Sequence, residues 1–163
     1  MMFDFKPRAD ADKATAWADL IGAAQGIMAG ETDTIANMAN VAALAWELLP
    51  DLNWAGFYRV VDGGLVLGPF QGRAACIRIA IGSGVCGTAA ATGETQCVAD
   101  VHAFPGHIAC EAASASELVV PILVDGRVIA VLDLDSPLPG RFDAEDVAGG
   151  ERLARLLGDA LAG

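Results

Sequence analysis

No stretch of this sequence approaches the ~20 consecutive apolar residues that a membrane-spanning helix needs, although 54% of its 163 residues are apolar. Basic residues are scarce as well. Ten Lys and Arg stand against 21 Asp and Glu, for a formal net charge of −11. That imbalance argues against nucleic acid and membrane partners, because nucleic acid and anionic lipid both require a basic face. It favours solubility and is compatible with a cationic or zwitterionic small ligand. The N-terminal MMFDFKPRADADK lacks the apolar core of a signal peptide, so we expect no leader and a cytoplasmic location. Histidine is confined to His102 and His107, and neither C-x-x-C nor H-x-x-x-H occurs. A structural zinc site is therefore not expected, and His107 with Cys110 is a single pair, too little to hold a metal. In a reducing compartment the cysteines suit catalysis better than structural bridging. The length fits one domain, residues 1–163, that buries roughly 70% of its unfolded surface.

The periodicity then sets the elements. Residues 11–29 read as a helix with Trp17, Leu20, Ile21 and Ala24 on one face. Thr32 or Asp33 can cap a second helix that runs to Leu49, with Ile35, Met38, Ala42, Ala45 and Leu49 on its apolar stripe. At Trp54 the period changes to two. Trp54 to Val61 reads as a strand that presents Trp54, Gly56, Tyr58 and Val60 to one side. Gly56, between aromatics, leaves room there for core packing or for a pocket wall. Asp62-Gly63-Gly64 turns the chain into a strand from Leu65 to Phe70. Cys76 to Ile81 is the next strand. A glycine-rich loop follows and feeds a short helix at Thr88–Ala91, with Cys86 near its start, where a helix N-terminus lowers a thiol pKa. That loop has neither lysine nor a phosphate-binding motif. Gln96–Ala99 is a short strand in which Cys97 reads as a buried, inert thiol. Leu118–Val124 and Arg127–Asp135 form a hairpin through Asp125-Gly126. Its second strand sets Ile129, Val131, Asp133 and Asp135 on one face, where two carboxylates need partners. Asp143 or a neighbour caps a final helix, Ala144–Leu161. Hairpin connections with helices at both chain ends give an α+β domain: an antiparallel sheet with helices together on one face.

The chemistry concentrates in the loop VHAFPGHIACEAASASE, residues 101–117. A loop this long in a compact domain is functional or disordered, and its small and apolar residues exclude the solvated composition of disorder. It holds both histidines and Cys110.

The segments WAGFY (54–58), LGPFQG (67–72), GSGVCGTA (82–89), DVHAFPGHIAC (100–110), SASE (114–117), VLDLDS (131–136) and RF (141–142) resemble the free methionine-(R)-sulfoxide reductases. These are GAF-fold enzymes that act on the free amino acid. The likeness covers nearly the whole chain. It implies a GAF-like, six-stranded antiparallel sheet backed by helices, a homodimer, no metal or other cofactor, a role in oxidative stress, and thioredoxin as electron donor. Carried over by position, it implies Cys110 as nucleophile, Cys76 as the cysteine that forms the disulfide with it, and Cys86 as a second recycling cysteine. Glu117, Asp133 and Asp135 match the acidic cluster, and Trp54 and Tyr58 the aromatic wall. Three positions depart from the pattern: Cys97 has no counterpart, Ala80 replaces a proline, and Ser83 replaces a basic residue.

Elementary chemistry is consistent with that expectation. Sulfoxide reduction needs a thiolate to attack sulfur and an acid to protonate the departing oxygen. Crowded carboxyls raise one another's pKa, so one of them can remain that acid. Two other readings share the fold: a GAF sensor module that binds a small effector, and a thiol redox sensor without turnover. No output domain is expected after Gly163, which disfavours the first.

Overall fold

The protein is described here by a computed structural model that covers residues 3–108 and 113–163. Helices α1 (Lys13–Met28) and α2 (Thr34–Leu48) come first. Asp12 and Asp33 cap them, accepting from the amides of Thr15 and Ala36. Strands β1 (Trp54–Val61), β2 (Gly64–Gly72) and β3 (Arg78–Ala80) follow, then α3 (Gly84–Thr92), β4 (Gln96–Val98) and a 3₁₀ turn at Val101–Ala103. Strands β5 (Ser116–Val124) and β6 (Arg127–Ser136) lead into α4 (Ala144–Leu161). The strands make one antiparallel sheet of six, in the order β3-β2-β1-β6-β5-β4. Both tight hairpins use the Asp-Gly pair seen in the sequence. Asp62, Gly63, Asp125 and Gly126 all have positive φ, the mirror-image geometry that suits the strand twist.

The three long helices cover one face of the sheet, as the element order predicts. Trp17, Leu20, Met38, Leu44 and Leu153 pack there against Phe57, Leu118, Leu132 and Leu134. Each such fully buried side chain contributes about 1.5–3 kcal/mol. The short helix α3 lies on the opposite face, with Val85, Cys86 and Ala89 against Trp54, Tyr58, Val119 and Val131. That second layer is thin, and the candidate site residues Trp54, Tyr58 and Cys86 lie in it.

Several expectations change in the fold. Ile35 is exposed and Val41 takes its place on the buried stripe of α2. Ile129 leaves the face of Val131, Asp133 and Asp135 and packs on the helix side. The β5–β6 register steps from Ile122↔Ala130 to Leu123↔Val128, so Ile129 is the extra residue of a bulge and the alternation breaks there. Strand β3 is only three residues long, which leaves Cys76 in the segment before it. Helix α3 begins at Gly84, four residues earlier than expected, and Gly93 ends it with φ 70°.

A buried ion cluster fastens α1 and α4 to Arg141 in the segment between β6 and α4. Asp146 accepts from the Trp17 indole at 3.0 Å, from Lys13 at 2.6 Å and from Arg141 at 3.2 Å through both carboxylate oxygens. Its neighbour on α4, Gly149, lies under the same indole. A Cβ there would come within 2.2 Å of Trp17 Cδ2. Gly149→Ala should therefore destabilise the fold by about 1–3 kcal/mol, or more where the layer cannot shift. An unchanged midpoint in urea denaturation would refute this account of the helix contact.

Candidate active site

The centre of the open sheet face is built by register. Trp54 of β1 stands opposite Asp135 of β6, and Asp135 stands opposite Glu117 of β5. Two pairs further along, Gly56 faces Asp133. Strand alternation thus brings Trp54, Glu117, Asp133 and Asp135 into one pocket, with Tyr58 and Cys86 beside them. His107, Ile108 and Ser114 of the long loop also line it, together with Ser83 and Gly84 at the start of α3. No lysine or arginine lines the pocket among the described residues.

All three carboxyl groups are buried. The Cys86 thiol donates to Asp133 Oδ2 at 3.3 Å and approaches Glu117 Oε1 at 3.9 Å. Burial pushes the Glu117 carboxyl well above its usual range, and Asp133 and Asp135 push it further. Asp133 rises from 3.8 to about 6, again through burial, which its hydrogen bonds to Glu117, Cys86 and Asp135 partly offset. Glu117 is thus the stronger holder of a proton, and Asp133 the acceptor beside it. The site contains an acid and a base within one hydrogen-bonded group.

Cys86 differs from its expectation. Its place in the first turn of α3 predicts a lowered thiol pKa, yet burial raises it well above its ordinary value, and Asp133, Glu117 and Asp135 add to the rise. Desolvation and three nearby carboxyls outweigh the few aligned amides of a nine-residue helix. In this arrangement Cys86 is a proton donor to the acidic group and not an activated nucleophile. Cys97 also differs: it is exposed, on the edge strand β4, with its thiol toward the Phe142 carbonyl.

The aromatic wall has a second use. Trp54 stacks on Tyr58 at 5.9 Å and on Phe70 at 5.1 Å. Phe70 was not legible as a wall residue, because a bulge at Gly68-Pro69 shifts the pairing of β2. The space above Gly56 is not a gap, since a Cβ there would meet Phe70 Cβ at 2.3 Å. The glycine serves the close approach of β2. The polar tips of the wall point to one segment. The Trp54 indole donates to the Arg73 carbonyl at 3.1 Å, and the Tyr58 hydroxyl donates to the Cys76 carbonyl at 2.9 Å. Burial, with Asp133 next, raises the Tyr58 pKa, so the hydroxyl remains a donor. Cys76 is disulfide-bonded, while Cys86 and Cys97 are free thiols. Cys110 lies outside the described residues.

Cys86 Sγ and one oxygen each from Glu117 and Asp133 lie within 4.8 Å of one another. These are the atoms that could hold a metal ion. Their shared protons would have to leave first.

The GAF domain family matches residues 35–162. The chain is 52% identical over 151 residues to the free methionine-R-sulfoxide reductase of Escherichia coli, covering 93% of this chain and 92% of that protein. The chain belongs to the free methionine-R-sulfoxide reductase family of GAF domains. A yeast member of the family, from Saccharomyces cerevisiae, is 45% identical over 141 residues, covering 82% of this chain and 78% of its own. Among solved structures, the Neisseria meningitidis free methionine-R-sulfoxide reductase, determined in complex with its substrate, matches with a TM-score of 0.93. Its identity is 44%, covering 98% of this chain and 96% of that one.

The raised Asp133 carboxyl has a consequence for stability. A carboxyl whose pKa is higher folded than unfolded stabilises the fold most when protonated, below about pH 4. That contribution is lost as the pH rises through about 6. Asp133→Asn is uncharged throughout. Above about pH 7 it should be more stable than the parent by on the order of 2 kcal/mol, and nearly equal to it near pH 4. Denaturation curves across this range check it, and superimposable pH profiles for the two proteins would contradict it.

Proposed function

We propose that this protein reduces free L-methionine-(R)-sulfoxide to methionine at the expense of thiols. The observation that carries the reading is the buried group of Glu117, Asp133 and Asp135, set beside the Trp54–Tyr58 wall in a pocket that no lysine or arginine lines among the described residues. Family membership and the relatives' activity support it.

In this reading the substrate's ammonium meets the acidic group and pairs with Asp135. The methyl on sulfur packs against the Trp54 face. Protonated Glu117 donates to the sulfoxide oxygen as the Cys110 thiolate attacks sulfur. The S–O bond breaks, methionine leaves, and the oxygen remains on Cys110 as a sulfenic acid. The Cys76 thiol then attacks that sulfur and expels water, forming a disulfide. Two thiols are oxidised, the sulfoxide is reduced by two electrons, and one water is released. Cys76 being disulfide-bonded while Cys86 and Cys97 are free supports this pairing. The dithiol of thioredoxin resets the enzyme by exchange. Cys86 serves as a second recycling cysteine only when the pocket opens, since here its thiol is buried and protonated. The acidic group does proton chemistry and holds no metal. The protein functions in the cytoplasm, against oxidative stress.

Assembly is part of the proposal. Ile35 and Trp46, eleven positions apart on one face of α2, are both exposed. We assign them to a two-fold homodimer interface in the helical layer. Light scattering at micromolar concentration should give twice the chain mass, and a monomer mass would exclude the dimer.

Thiol counting tests the chemistry. Reduced protein mixed with free methionine-(R)-sulfoxide should lose one thiol pair per methionine formed. A sensor module would lose none, and a thiol redox sensor would respond to peroxide but not to sulfoxide. Cys110→Ser should abolish turnover, whereas Cys76→Ser should complete one turnover and recycle poorly. Acetylating the substrate amine removes its charge from beside the buried carboxylates, at a cost of about 3–5 kcal/mol, so kcat/KM should fall by at least about a hundred-fold. Multiple turnover by Cys110→Ser would overturn the mechanism.

A further inference from the structure

We infer that the segment Arg73–Arg78 is the docking surface for the protein dithiol that reduces this enzyme. The inference rests on the function proposed above, in which the disulfide at Cys76 must be opened from outside after each turnover.

Three independent observations meet in this segment. The first is rigidity. Its carbonyls at Arg73, Cys76 and Ile77 accept from the Trp54 indole, the Tyr58 hydroxyl and the Leu67 amide, at 3.1, 2.9 and 2.9 Å. A segment outside regular structure is thus pinned at three points, and its side chains stand on a fixed frame. The second is exposure. Ile77, next in sequence to Cys76, is 68% exposed, more than any other large apolar residue described. Cys76 itself is half-buried, and Arg73 and Arg78 are exposed. An isoleucine pinned outward has no role in this chain's own core, and exposed apolar side chains ringed by polar ones mark contact sites. The third is charge. In a chain of net charge −11, both ionisable neighbours flanking Cys76 within three residues are arginines. Neither forms an ion pair among the described residues. They set a local positive patch around the disulfide.

The chemistry selects the partner. It presents a reactive thiol in an apolar surface bordered by carboxylates, so that Ile77 is covered and Arg73 and Arg78 are paired. Its thiolate attacks Cys76 Sγ, the protein's other half-cystine leaves as thiolate, and a mixed disulfide forms. The partner's second thiol then attacks its own first sulfur, frees Cys76 and leaves the partner oxidised. A small dithiol needs none of these contacts, because it approaches the sulfur directly.

That difference provides the test. The oxidised protein is recycled either by dithiothreitol or by a bacterial thioredoxin kept reduced by its reductase, with free methionine-(R)-sulfoxide saturating. In R73E/R78E the KM for thioredoxin should rise about ten-fold or more, and the salt sensitivity of the parent should reverse. The dithiothreitol-driven rate should remain within about two-fold of the parent, as expected for exposed residues outside the pocket. Ile77→Asp, which keeps both arginines, should raise the same KM while sparing dithiothreitol. An unchanged thioredoxin KM in both variants would overturn the docking surface, and so would a parallel loss with both reductants. Parent turnover with dithiothreitol but none with thioredoxin would overturn it too, and would leave the sulfoxide reductase reading intact. Absence of parent turnover with dithiothreitol would instead refute that reading.

Discussion

Three buried carboxyl groups on one face of a sheet are a heavy electrostatic burden, and the architecture is arranged around carrying it. Isolated buried carboxylates are avoided in proteins because desolvation disfavours the charged form. Here Glu117, Asp133 and Asp135 converge from two adjacent strands, with the Cys86 thiol as a further donor. Sharing protons within the group lowers the charge that must be buried. The rest of the cost is offset on the other side of the sheet, where Leu118, Leu132 and Leu134 alternate with the acidic positions and join the helical core. One pair of strands therefore carries the stabilising layer on one face and the reactive layer on the other. Stability and acid chemistry occupy alternate residues of the same segments.

The same division of labour recurs in charge pairing. Asp146 is as buried as the pocket carboxyls, yet it is fully engaged by Lys13, Arg141 and the Trp17 indole. It is a structural fastening between α1, α4 and the segment that joins β6 to α4. Among the described residues, no lysine or arginine lines the pocket of the other acids, which suits a ligand that carries positive charge. The aromatic side chains that wall this pocket also hold the backbone of the Cys76 segment by their polar tips. The pocket wall and the backbone of the Cys76 segment are thereby coupled through Trp54 and Tyr58.

Much of this was legible in the chain. The bounds of β1 and α4, both Asp-Gly hairpins and the caps at Asp33 and Asp143 all follow from local signals. The side of the strand bearing Trp54, Tyr58, Asp133 and Asp135 follows from alternation. Motif likeness named the acidic and aromatic residues that the register then brings together. Features that escaped the sequence depend on contacts remote in sequence. Ile129 turned to the other face because β5 and β6 pair through a bulge. Gly56 proved to be a contact point for β2 and not an opening.

By itself the sequence determined element types, turn geometry, the class of fold and the family, because these depend on local periodicity, φ preferences and motif spacing. Only the tertiary structure decided the state of individual groups. The Cys86 thiol stands at a helix start that should acidify it, but the fold seals it beneath three carboxyls and raises it. Cys97 looked like a core residue and lies on an edge strand in solvent. Burial and electrostatic field are sums over every neighbour the fold assembles, and no window of sequence contains those neighbours.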